Sequence, residues 1–233
     1  MTDASIRRLV LADWDNTFRK GFTVVNWAQF LADRGLFTAL ASIKAAVERF
    51  HQGGFSYEEF CRRMASAYAA GLVGLAYSDV FAAAASFVAL DSCHVFNFVK
   101  PLCAYLATQN LKVVVVSGAP EEPLSHYANS IGFELGGALR LKVEDGRYTG
   151  SITENCGLGD EKEAAVGRLS LSGQIAVALG DSTSDLPLLE AAPVGFVVLG
   201  AEHNSIPSGP NLVAFASEID PHLLIELVIE TLR

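Results

Sequence analysis

The sequence predicts an α/β protein, a doubly wound parallel sheet carrying a helical insert and a β-hairpin flap, and three observations predict it. Short runs rich in Val, Leu and Ile, each ending in polar or Gly residues, recur at 9–12, 112–116, 175–179 and 194–199, with a fifth at 211–216. Helical stretches at 95–109, 123–130, 161–169 and 186–191 separate them. Between the first two runs, residues 21–90 hold helix signals and no strand. Runs apolar throughout, rather than alternating, read as parallel strands buried on both faces, and strand–helix alternation implies a doubly wound sheet.

The insert has its own start signals. Ser56-Tyr-Glu-Glu59 reads as a capping box opening a helix over 57–70, and Ser78 reads as the cap of an Ala-rich helix ending near 89. It also differs in charge. Five acids and five bases fall within 21–90, so the whole formal charge of −9 sits in the rest of the chain. The expected division is a core of 1–20 and 91–233 with a helical cap of 21–90. In 138–152, Leu139, Leu141 and Val143 alternate across Asp145-Gly146 into Tyr148 and Ile152, the pattern of a hairpin.

Composition narrows the function classes. With 51% hydrophobic and 18% charged residues in 233, the chain buries a large core, which excludes a disordered or coiled-coil protein. Twenty-six acids against 17 Lys and Arg argue against nucleic acid or an anionic membrane as the partner. The four cysteines lack metal-ligand spacing and are too few for a disulfide framework; the first eight residues show no signal-peptide pattern, and no run is long enough to span a membrane. The expected location is the cytoplasm.

Four elements carry chemistry. Asp13-Trp-Asp15-Asn-Thr17 follows the first strand, at the sheet edge where open parallel sheets gather their ligands. Two carboxylates two residues apart there suit one nucleophile or metal ligand and one proton carrier; the plain alternative is an N-cap and turn. Ser117-Gly118, after the second strand, offers a hydroxyl and an N–H to an anionic oxygen, or makes an ordinary turn. Lys162 opens a helix, where it neutralises a phosphate or pairs with Glu161 or Glu163 at the surface. Gly180-Asp181-Ser-Thr-Ser-Asp185 adds two carboxylates after a buried strand, a donor set that suits Mg²⁺. Two Asp pairs sharing a site require a cation among them.

In this order, the four elements resemble the haloacid dehalogenase superfamily, and within it the phosphoserine phosphatase-like branch: DxDxT at Asp13, Asp15 and Thr17, then Ser117, Lys162, and GDxxxD at Gly180, Asp181 and Asp185. The insert corresponds to that family's cap, and the hairpin is similar to the branch. The resemblance implies that Asp13 is the nucleophile, forming an aspartyl-phosphate, and that Asp15 protonates the leaving oxygen and then activates water. It implies phosphoryl binding by Ser117, the Gly118 N–H and Lys162. Mg²⁺ would be held by Asp13, the Asp15 carbonyl and Asp181, with Asp185 a ligand through water or an orienting group. The presence of Asp15 favours phosphomonoester hydrolysis over carbon–halogen cleavage.

The expected substrate is a small phosphorylated metabolite. A phosphotransferase using the same intermediate, and a non-catalytic module binding a phosphorylated ligand, remain the alternatives. At the position where the phosphoserine enzymes carry a glutamate for the substrate amine, this chain has Phe22, which puts ammonium recognition in doubt. Arg62 or Arg63 would hold a substrate carboxylate or second phosphate, or else pair with Glu58 and Glu59 at helical spacing. Trp14 is expected to point into the core, and most of Phe22, Trp27, Phe30, Phe55, Tyr57 and Phe60 to form the core of the insert rather than line a pocket. Thr17 is expected to bond back to Asp15 or cap its turn, and none of the five histidines is given a role.

Overall fold

The computed structural model describes residues 7–200 and 207–232; the reading of the first six residues and of His203 lies outside them. Seven strands form one sheet in the order β4-β3-β2-β1-β5-β6-β7, parallel throughout except for the β3–β4 hairpin at one edge. The strands are β1 (Arg8–Ala12), β2 (Leu111–Pro120), β3 (Glu134–Glu144), β4 (Arg147–Asn155), β5 (Gln174–Gly180), β6 (Gly195–Leu199) and β7 (Leu212–Ala216). All five expected runs are strands. β1 lies centrally and divides the core: Val10 and Ala12 face one apolar cluster with Val113, Val115 and Leu179, and Leu9 and Leu11 face the other with Val114, Val116 and Ala178. Helices α5 (Val99–Thr108), α6 (Glu121–Ile131) and α9 (Pro221–Leu232) pack on the first side, and α7 (Gly159–Ser172) and α8 (Leu186–Leu189) on the second.

The structure corrects three details. The hairpin turns at Asp145 and Gly146, both at positive φ (50° and 74°), but β3 begins four residues before the expected 138 and first pairs parallel to β2, with Val114 opposite Glu134. No apolar alternation marks that start, because Gly136 and Gly137 occupy it. A Cβ on Gly136 would lie 2.6 Å from Val114, and one on Gly137 would lie 2.5 Å from Cys156. Ser78 is not a helix cap: α4 (Tyr77–Asp91) is capped at Ala76, which bridges to Arg147 of the hairpin, so a tertiary contact sets its start. Ser56 accepts the Glu59 N–H at 3.2 Å, but the Glu59 carboxylate turns to Arg63, so half of the capping box forms.

Between β1 and β2 lie α1 (Thr23–Ala32), α2 (Leu40–His51), α3 (Tyr57–Leu72) and α4, which bury Trp27, Phe60, Tyr68 and Phe87 among themselves. Fully burying each such side chain contributes roughly 1.5–3 kcal/mol. Against the rest of the molecule, α3 packs on β4 and α4 on α6. The hairpin is also joined to the loop between α3 and α4 through the backbone, Gly74 N–H to the Tyr148 carbonyl and Tyr77 N–H to the Gly146 carbonyl, both at 2.9 Å. Buried Glu122 at the start of α6 accepts from Tyr68 of α3 at 2.8 Å and from Tyr148 of β4 at 2.6 Å.

The two segments that enter and leave this helical layer are bonded to each other. Arg19 bridges antiparallel to Val95, and the Lys20 N–H donates to the His94 carbonyl at 2.9 Å. The fully buried Arg19 guanidinium forms a bidentate pair with Asp91 at 2.6 and 2.7 Å, and Tyr127 and Asn26 also donate to that carboxylate. Burial alone would raise the Asp91 pKa, yet the bonds and charge of Arg19, with Tyr127 and Asn26, hold it below the ordinary value. A carboxyl depressed in the folded state contributes stability that is present above its unfolded pKa of about 3.9 and is lost as pH falls through the folded value. Arg19→Met, leaving Asp91 buried and uncompensated, should cost about 3–5 kcal/mol in urea unfolding at pH 7. Asp91→Asn should flatten the decline of the wild-type urea midpoint below about pH 4; an unchanged acid limb would remove Asp91 from it.

Candidate active site

The carboxyl ends of β1, β2 and β5 and the first turn of α7 deliver the four chemical elements to one place. Asp13 stands one residue beyond β1, and its N–H donates to the Leu179 carbonyl of β5 at 3.0 Å. Lys162, buried in α7, donates to Asp13 Oδ1 at 3.1 Å and to Asp185 Oδ1 at 2.6 Å. The surface pairing of Lys162 with Glu161 or Glu163 does not form. Asp185 Oδ2 accepts the N–H groups of Asp181 and Ser182 at 3.0 and 3.1 Å, so both of its oxygens are engaged. That loop closes because residue 180 is glycine: a Cβ there would lie 2.5 Å from the Asp185 Cβ.

Ser117 is buried, and Gly118 approaches Gly157, the residue that follows the end of the hairpin by two, so closely that a Cβ on Gly118 would lie 2.7 Å from the Gly157 Cα. Ser117 and Gly118 lie within β2, which runs on to Pro120, and not in a turn after it; this packing places Gly157 and Asn155, neither singled out from sequence, beside them. Trp14 points away from the site into the core, as alternation along the strand predicts, against Tyr127 and Phe133. Thr17 departs from expectation. Its hydroxyl donates to Asp181 Oδ1 at 3.2 Å, 164 residues away, and so joins the first and last motifs rather than returning to Asp15.

Asp15 is held by Thr23, the first residue of α1, through its N–H at 2.9 Å and its hydroxyl at 2.5 Å. The Thr23 oxygen in turn accepts from Trp14 Nε1 at 2.9 Å. Arg19 lies 4.0 Å from the Asp15 carboxylate. Burial raises the Asp15 pKa, Arg19 and Thr23 oppose it, and the balance stands at about 6. Asp13 and Asp181 are likewise pushed above the ordinary carboxylate range by burial, and Asp185 is held below it by Lys162 and the two N–H groups.

Asp13, Asp181 and Asp185 each offer a carboxylate oxygen, all within 4.8 Å of one another. Lys162 serves Asp13 and Asp185, whereas Asp181 makes no salt bridge among the described residues and receives the Thr17 hydroxyl. A buried, closely spaced set of hard oxygens with one member lacking a cation fits a divalent ion that keeps several waters.

A cavity of about 40 Å³ opens over Asp13, Asp15, Ser117, Gly118 and Lys162, roofed by residues of the insert that include Phe22, Tyr57, Phe60 and Met64. A second, of about 270 Å³, lies beyond Phe22 and Tyr57 and reaches Asp181, Ser182 and Glu58. Of the six aromatic residues considered from sequence, Phe22, Tyr57 and Phe60 line the first cavity, Trp27 and Phe30 stack in the insert core, and Phe55 lies on the outer face under Arg63. Arg62 and Arg63 are not brought to the site. They pair with Glu58 and Glu59 at 2.5 and 2.7 Å along the exposed side of α3.

Comparison with known proteins agrees with this arrangement. Over 90 residues the chain is 39% identical to a probable phosphatase of Mycobacterium tuberculosis, a match covering 37% of this chain and about a third of that protein's length. A Bordetella pertussis protein of unknown function superposes with a TM-score of 0.67 at 21% identity, covering 83% of this chain and 91% of the other. The phosphoserine phosphatase of T. onnurineus superposes with a TM-score of 0.59 at 20% identity, covering 98% and 97%. The family model for haloacid dehalogenase-like hydrolases matches residues 10–190, a span that contains every one of the four motifs, and the chain belongs to that family, with a phosphoserine phosphatase-like fold.

Proposed function

We propose that this chain is a cytoplasmic, Mg²⁺-dependent phosphomonoester hydrolase that acts on a small phosphorylated metabolite through an aspartyl-phosphate, with residues 21–90 as a cap over a core of 1–20 and 91–233. One observation carries the reading: a buried carboxylate, Asp13, bonded to a buried ammonium, Lys162, beneath a small roofed cavity with a second carboxylate of raised pKa beside it.

Asp13 attacks phosphorus, forming the Asp13 O–P bond as the bond from phosphorus to the ester oxygen breaks. Asp15 gives its proton to the departing alkoxide, which a pKa near 6 suits at neutral pH. Having become a carboxylate, Asp15 takes a proton from the water that attacks the acyl phosphate, releasing inorganic phosphate and restoring both residues. Ser117, the Gly118 N–H and Lys162 hold the phosphoryl oxygens where charge is spread in the transition state. Asp13, the Asp15 carbonyl and Asp181 would hold Mg²⁺, which when bound supplies positive charge to the phosphoryl oxygens. Asp185, with both oxygens engaged, positions Lys162 and the Asp181 loop instead of binding the ion. The roof over the cavity excludes bulk water during proton transfer.

Asp13→Asn should lower Mg²⁺-dependent phosphate release from p-nitrophenyl phosphate on the order of 10⁴-fold or more, while EDTA should suppress the wild type; activity surviving the substitution would remove Asp13 as nucleophile. With Asp15→Asn, hydrolysis of alkyl phosphates, whose leaving groups need a proton, should fall by about 10²–10⁴, and that of p-nitrophenyl phosphate far less. Equal losses for both would give Asp15 another task. Thr23→Val keeps the N–H bond to Asp15 and removes the hydroxyl one, so kcat for alkyl phosphates should fall about tenfold at nearly constant KM; steady-state kinetics on the two proteins would decide it.

A further inference from the structure

The roof of the cavity over Asp13 carries no charge. Phe22, Val24, Phe60 and Met64 are apolar, and Tyr57 and Cys61 bring the roof's two polar side-chain atoms. Burial keeps both neutral, the thiol pushed up to about 11 and the phenol well above its ordinary value. The charged side chains that line this cavity, Asp13, Asp15 and Lys162, all lie on its floor and are bonded to one another or to Thr23. Of the charges of α3, Glu58 and Arg62 pair at the surface with more than half of each side chain exposed, and Glu58 lines the larger cavity beyond Phe22 and Tyr57 and not this one. Phe22 and Phe60 hold the roof as a packed aromatic surface, their centroids 5.2 Å apart and Phe60 stacked on Phe50 at 4.4 Å.

An ammonium or carboxylate a few bonds from the ester oxygen would therefore be taken from water into an apolar wall with no counter-ion. The space is also small. A volume of about 40 Å³ holds some three waters, enough for a phosphoryl group and the first atoms of what it is attached to. From this wall and this volume we infer that the substrate is the phosphate monoester of a compact, uncharged alcohol or phenol, and that the apolar roof selects against esters charged close to phosphorus. The inference rests on the phosphatase reading, and the reaction is unchanged: the leaving group departs as a neutral alcohol carrying the Asp15 proton.

Isosteric esters test it. Phosphate release by the Mg²⁺-loaded protein should be at least a hundredfold more efficient, as kcat/KM, with propyl phosphate than with phosphoethanolamine or phosphoglycolate. From methyl to propyl phosphate it should rise about fourfold per methylene. A charged isostere equal to or better than propyl phosphate would overturn the inference while leaving the phosphatase reading intact. Calorimetric titration with phosphonates, which are not hydrolysed, separates the two failures. Propylphosphonate should bind at least tenfold tighter than 2-aminoethylphosphonate and phosphonoacetate. That preference, found together with no release from any ester, would uphold the selectivity of the roof and overturn the phosphatase reading.

Discussion

The structure is organised around the concentration of like charge at one buried edge of the sheet. Asp13, Asp15, Asp181 and Asp185 converge in a chain already at −9, and a single ammonium, Lys162, bonds two of them. Desolvation raises each carboxylate, and each is answered differently: Asp13 by Lys162, Asp185 by Lys162 and two N–H groups, Asp15 by Thr23 and the nearby Arg19. Asp181 receives the Thr17 hydroxyl and makes no salt bridge among the described residues, and at that point the cluster calls for a cation from outside the chain. The aligned ends of a doubly wound sheet bring these residues together, although they follow two strands and sit on a helix separated by as many as 172 positions.

The helical insert is tied into the same cluster. Its first helix starts at Thr23, whose N–H and hydroxyl both point at Asp15, so the residue that begins the insert also holds the candidate acid. The Arg19–Asp91 pair joins the segments by which the chain enters and leaves the insert, and the same guanidinium lies 4.0 Å from Asp15. On the far side, Glu122 gathers one tyrosine from the insert and one from the hairpin. A displacement of the helices relative to the sheet would therefore disturb the Asp15 environment as well as the roof, which ties access to the cavity to the surroundings of the candidate acid.

How far this was legible in the sequence follows from the range of the interactions. The strands that carry Asp13, Ser117 and Asp181 to the site declare themselves as local apolar runs, and Asp13 and Asp181 each stand one residue beyond their strand, whereas β2 runs on through Ser117 and Gly118 to Pro120, past the end of its apolar run. Taken alone, Lys162 reads more readily as a surface lysine paired with Glu161 or Glu163, and its burial in contact with Asp13 and Asp185 overturns that reading. The pairings of Thr17 with Asp181 and of Arg19 with Asp91 span 164 and 72 residues and leave no local trace. The opening of β3 was hidden for the opposite reason. Its glycines, required by the crowded side chains of β2 and α7, carry no side chain that could continue the apolar alternation marking the rest of the strand. Arg62 had two readings of equal standing, and its i,i+4 acid prevails because that side of α3 faces solvent.

A charged floor beneath an apolar roof divides recognition into two unequal parts. The phosphoryl group is common to every candidate ester, so the contacts that hold it, strengthened by the low dielectric of a small roofed cavity, favour the transition state without distinguishing one substrate from another. Discrimination falls to the roof. There a missing methylene costs about 0.8 kcal/mol, whereas an unpaired charge meets the far larger penalty of desolvation. A roof of this composition is therefore tolerant among neutral leaving groups of similar size and exacting toward charge. Phe22 and Tyr57 also line the larger cavity that reaches Asp181 and Glu58, so the two rings of the inferred neutral wall border both spaces.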